Sequence, residues 1–146
     1  MTETTGIFAT LCRRLEEENL TCILQKGESV FTSRLKGIRP LLDLIAQGKD
    51  VRGGYAADRI VGKAAALLYV MMGVKGVFAE VLSESALAVL NKHGVHAEYS
   101  VLTPNIINRA GDGLCPMEQT VLAINEPSAA YAALSEKAEQ LRTAAL

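Results

Sequence analysis

The sequence predicts an α/β fold built on a mixed sheet, and three features carry that reading. The stretch from Asp58 to Met72, DRIVGKAAALLYVMM through its end, reads as a helix that is apolar on every side after Lys63 and must be enclosed by other elements. From Arg52 to Leu102, strand-like and helix-like runs alternate, which implies crossover connections between parallel strands. Upstream, two short β-type runs flank Lys26-Gly27-Glu28 and read as a hairpin, adding antiparallel strands to the same sheet.

The elements follow in order. Ile7, Phe8, Leu11, Cys12 and Leu15 recur at helical spacing, so a first amphipathic helix is expected from about Thr5 to Glu18. Leu20 to Gln25 and Ser29 to Ser33 form the hairpin strands. Pro40 pre-sets the first turn of a second helix, which Gly48 stops. Arg52 to Ala57 then reads as a short strand entering the central helix, with Gly53 and Gly54 permitting close backbone approach or a bulge. Gly73 ends that helix. Lys75 to Leu82 reads as a strand, Ser83 to His93 as a helix capped by Ser83 or Ser85, and His96 to Leu102 as another strand. Thr103 to Gly113 is punctuated by Pro104, Asn105, Gly111 and Gly113 and reads as a loop. A short helix opens at Pro116, and a last one follows Pro127.

Composition narrows the function classes. The 146 residues suffice for a single domain, 1–146, with a sizeable core, and 49% hydrophobic against 21% charged residues excludes disordered and fibrous chains. Fifteen basic and sixteen acidic residues leave a net charge of −1 with no basic cluster along a face, so a nucleic-acid polymer is not the expected partner. A small polar ligand fits better. No apolar run approaches the ~20 residues of a membrane span, and Met-Thr-Glu-Thr-Thr lacks the basic and apolar regions of a signal peptide. A cytoplasmic protein is expected. Cys12, Cys22 and Cys115 are odd in number and unrelated in spacing, which points to reduced thiols.

Two helix starts that follow adjacent strands converge at the carboxyl edge of a sheet, where open α/β sheets place their ligands. Here those starts carry Asp58 to Lys63 and Ser83-Glu84. Lys63 must snorkel out of its apolar helix or find a partner; it serves either a structural ion pair with Asp58 or a ligand oxygen. Gly62 inside the helix costs ~1 kcal/mol relative to alanine, offset by close packing of another backbone or by room for a ligand. Ser83 reads equally as a cap, and Glu84 as a residue favoured by the helix dipole. Cys115, beside Pro116 at a helix start, reads as a buried free cysteine or as a nucleophile. Asn108, Arg109 and Asp112 either order their loop or contact a ligand.

Three motifs together, AlaAsp58-RIVGK-Ala64 with its apolar continuation, Ser83-Glu84-Ser85-Ala86, and Asn108 to Glu118, resemble a bacterial and archaeal family of unknown function with a cytidine-deaminase-like fold. The resemblance runs from roughly Leu20 to Ile124 and implies a three-layer α/β/α sandwich around a mixed sheet. Zinc-dependent members of the wider fold carry His-x-Glu or Cys-x-Glu at one core helix start and Pro-Cys-x-x-Cys at the next. The corresponding segments here, Ala57-Asp58-Arg59 and Leu82 to Ala86, offer no zinc ligand set. The expectation is a protein without metal or cofactor that is not a zinc-dependent deaminase, since that route needs metal-activated water.

Two function classes remain. The first is a binding domain for a small polar or nucleotide-like ligand, lined by Asp58, Lys63, Ser83 and Glu84 and closed by Asn108, Arg109 and Cys115. The second is a homo-oligomeric interaction or scaffold protein with a vestigial pocket. A narrower reading makes Cys115 a sulfur carrier or redox nucleophile.

Overall fold

The computed structural model describes residues 3–108 and 110–144. The order of elements is α1 (Glu3–Glu17), β1 (Cys22–Lys26), β2 (Ser29–Ser33), α2 (Arg39–Ala46), β3 (Tyr55–Val61), α3 (Lys63–Met72), β4 (Gly76–Ser83), α4 (Glu84–Lys92), β5 (His96–Thr103), α5 (Pro116–Thr120) and α6 (Pro127–Ala144). The strands form one five-stranded sheet in the order β2-β1-β3-β4-β5. The β1–β2 hairpin is antiparallel, β1 also runs antiparallel to β3, and β3, β4 and β5 are parallel. The expected mixed α/β sheet is what forms.

Strand alternation sorts the side chains onto two faces. Ile23 and Ala57 join Leu11, Leu15 and Leu20 in a small core under α1, with Tyr55 and Phe78 packed against it. Cys22, Leu24, Ala56, Val77 and Ala79 face the other way, into a larger core with α3, α4 and α6. Within α3, Ala64 through Tyr69 and Met72 are all buried. That is the enclosure expected of a helix without a polar face. Gly73, in the left-handed conformation at φ 74°, ends it.

One expectation needs correction. The central helix does not begin at Asp58: Tyr55 to Val61 is strand, and α3 starts at Lys63. The β-branched pair Ile60-Val61 and the alternation of Tyr55, Ala57 and Arg59 with Ala56 and Asp58 suit a pleated strand. Gly62 is consequently the N-cap of α3, at φ −98° and ψ −175°, rather than a residue of its interior. The change moves Asp58 and Arg59 from one helix mouth to opposite faces of a sheet. Gly54 does permit close approach, since a Cβ there would lie 2.5 Å from the Gln25 carbonyl oxygen.

Candidate functional site

At the carboxyl edge of β3, the start of α3 meets α5 and the segment between β2 and α2 around a cleft of about 540 Å³. Its walls are mostly apolar, formed by Ile38, Ile60, Ala64, Ala65, Met117 and Leu141. Asp58, Cys115 and Glu118 also line it.

Asp58 is only 7% exposed. It stands opposite Cys22 in the β1–β3 register, and both side chains point toward α3. There the Tyr69 hydroxyl donates to Asp58 Oδ2 at 2.7 Å and lies 3.4 Å from Cys22 Sγ. Burial pushes the Asp58 carboxyl from its ordinary value up to about 7, while the Tyr69 hydrogen bond and the amides of Arg59 and Ile60 act in the opposite direction. Burial likewise raises the Cys22 thiol and the Tyr69 phenol well above their usual ranges.

Lys63 and Asp58 do not form the ion pair that is one of the two readings of Lys63. Lys63 Nζ donates to the carbonyls of Val121 at 2.8 Å and Leu122 at 3.2 Å, just beyond the end of α5. Strand geometry sends the Asp58 side chain under α3 toward Tyr69, while Lys63 reaches out to carbonyls just past the C-terminal end of α5, where a cation is favoured. Arg59, one residue from Asp58, points to the α1 face. Its guanidinium bonds Glu16 at 2.9 Å, Glu80 at 2.7 Å, and the Leu15 and Leu20 carbonyls at 3.0 and 2.9 Å.

The start of α3 is capped from within. Glu118 Oε1 accepts from the Lys63 amide and Oε2 from the Ala64 amide, each at 2.8 Å. A carboxylate spanning two first-turn amides satisfies both orphan donors and opposes the positive end of the helix dipole. Gly62 makes the fit: a Cβ there would lie 2.4 to 2.8 Å from the Glu118 carboxylate atoms. The side chain packed against Gly62 is therefore a carboxylate, not another backbone and not a ligand. Glu118 and Tyr69 were not among the residues singled out by sequence. A helix start whose N-cap glycine has no side chain calls for an acceptor from elsewhere, and that was the available signal.

The other predicted residues are dispersed. Ser83 is fully buried and caps α4, accepting from the Ala86 amide at 3.1 Å, while Glu84 beside it is exposed. Neither lines the cleft. Asn108 orders its loop: Oδ1 accepts from the Gly111 amide at 2.8 Å and Nδ2 donates to Asp112 at 3.0 Å. Arg109 lies outside the described residues. Of the predicted set, the cleft thus brings together Asp58 and a half-buried Cys115.

The first core helix start is Gly62-Lys63-Ala64 and the second is Ser83-Glu84-Ser85. Among the described residues, no three of His, Cys, Asp and Glu gather as a metal-ligand set. These residues do not fit the zinc site of the deaminases. No described helix is long and apolar enough to cross a membrane.

Residues 10–138 match the family described as a domain of unknown function, DUF1893. The chain is similar in structure to a DUF1893 family protein of Thermotoga maritima, TM1506, known from a crystal structure. The two share 26% sequence identity over 94% of this chain and 92% of that one, with a TM-score of 0.84. No curated protein matches. With the family model spanning residues 10–138 and the structural likeness covering nearly all of its length, the chain belongs to the DUF1893 family.

Proposed function

We propose that this protein binds a small molecule in the cleft between β3, α3 and α5, with Asp58 as its main polar contact. The observation that carries the reading is a carboxyl group 93% removed from solvent on the wall of a mostly apolar cavity of about 540 Å³. Ligand sites combine apolar walls with a few fixed polar groups in this way. The site is narrower than the predicted set, because Lys63, Ser83 and Asn108 have structural partners. The wider reading includes a single domain of three-layer, cytidine-deaminase-like architecture that works without zinc. Helices packed on both faces of the sheet support the sandwich. A cytoplasmic location belongs to the same proposal, supported by three free thiols.

Native mass spectrometry of freshly purified protein, set against its denatured mass, tests the reading. A small-molecule adduct is expected in the wild type and not in Ile60→Trp, which fills the cleft mouth from a position 54% exposed. An adduct retained by that variant, or no adduct and no binding from a fragment mixture, would count against the cleft.

A second reading, self-association, is favoured by the edge strand β5, where Tyr99, Val101 and Leu102 are 41%, 54% and 38% exposed. An apolar edge strand readily pairs with another chain. Light scattering should then give a dimer mass that Val101→Lys returns to the monomer; a wild-type monomer at high concentration removes the reading.

A further inference from the structure

We infer that the ligand of this cleft is cationic, an apolar body bearing an amino or amidino group that hydrogen-bonds Asp58; the inference rests on the cleft being a binding site. The charges around the cleft carry the argument. Two nearly buried carboxyl groups line it, Asp58 and Glu118. Glu118 is committed, with both oxygens on the amides of Lys63 and Ala64. Asp58 has no cationic partner among the described residues: its carboxyl takes the Tyr69 hydroxyl through Oδ2 and the amides of Arg59 and Ile60, all neutral donors.

Among the described residues, the neighbouring cations are turned elsewhere. Arg59 spends its guanidinium on Glu16, Glu80 and two carbonyls across the sheet, and Lys63 on the carbonyls after α5. Lys36, the other cation of the lining, is exposed. Among the described residues, the titratable groups around Asp58 are otherwise Cys22 from β1, Tyr69 from α3, Glu80 through the sheet from β4, Cys115 at the start of α5 and Glu118 within it. None is cationic. A buried carboxylate without a counter-ion is costly, and a bound cation removes that cost. An anionic ligand has the opposite fate: the α3 amides that would receive a phosphate are filled by Glu118, and its charge would meet two carboxyl groups. The geometry therefore selects against a nucleotide phosphate.

The test is a heteronuclear NMR titration with 2-phenylethylamine, 2-phenylethanol and 3-phenylpropanoate, three probes of one shape and different charge, read at the amides of Ala64, Ala65 and Met117. At pH 8 the amine is expected to bind about ten- to a hundredfold more tightly than the alcohol, the scale of a hydrogen bond to a charged group, and the carboxylate more weakly than either. In Asp58→Asn the amine should lose that preference. In the wild type it should also shrink as the pH falls from 8 to 5.5 and Asp58 takes up a proton, which keeps the test independent of how the variant folds. If the alcohol or carboxylate binds as well as the amine, or the preference survives both treatments, the cation is wrong although the cleft stands. If none of the three binds, both fail.

Discussion

Asp58 works against the fold that holds it. Its carboxyl ionises near 3.8 in an open chain and at about 7 in the folded protein, so between those values the folded state binds the proton more tightly. The stabilisation is fully present below pH 3.8 and is lost as the pH rises toward 7, a difference of roughly 4 kcal/mol by linkage. Urea unfolding of Asp58→Asn should accordingly lack this slope and exceed the wild type in stability at pH 8, since an amide still accepts from Tyr69. A variant less stable than wild type at pH 8 would show that the ionised carboxylate is better accommodated than its burial implies. The thiols make a second comparison at this scale. Cys22 is buried, and the Cys12 thiol is raised by burial and then by Glu80 and Glu98, whereas Cys115 lines the cleft. Timed alkylation at pH 7.5 followed by peptide mass mapping should modify Cys115 first and Cys22 last. Equal rates would remove the redox reading of Cys115.

Between elements, α3 and α5 are joined by two reciprocal contacts: Glu118 on the first amides of α3, and Lys63 on the carbonyls just after α5. Glu118→Ala is expected to cost about 1–3 kcal/mol, the range for leaving buried donors unpaired. Gly62→Ala should cost a similar amount for a different reason, the collision of its methyl with that carboxylate. In the double variant the collision is gone, so the two losses should not add; additive losses in a denaturation cycle would refute the packing account. Much of this level was legible from residue order. The hairpin, the buried span of α3, its stop at Gly73 and the Ser83 cap all follow from local spacing and turn chemistry. The start of α3 was not, because Asp-Arg-Ile-Val suits either period and Gly62 looks the same inside a helix or before one. Nor was the cap legible, since Glu118 lies 55 positions from Lys63 and no spacing rule reaches that far.

Across the whole molecule, the two sheet faces are unequally protected. The face under α3, α4 and α6 carries the large core, and the other is covered by α1 over a small one. Arg59 ties that cover down, linking the last turns of α1 to β4 through Glu16, Glu80 and the Leu15 carbonyl. Arg59→Leu should release it. Hydrogen exchange is expected to accelerate at α1 amides while α3 amides keep their protection, the signature of a locally opening unit. Uniform acceleration in both helices would mean that the molecule opens as one piece.

The internal cap also sets a schedule for synthesis. A nascent chain made as far as Thr103 already holds all five strands, yet the helix at its centre still begins in bare amides. The carboxylate that closes that helix arrives with Glu118, on a segment made after the last strand, so the Lys63 and Ala64 amides have no such partner until then.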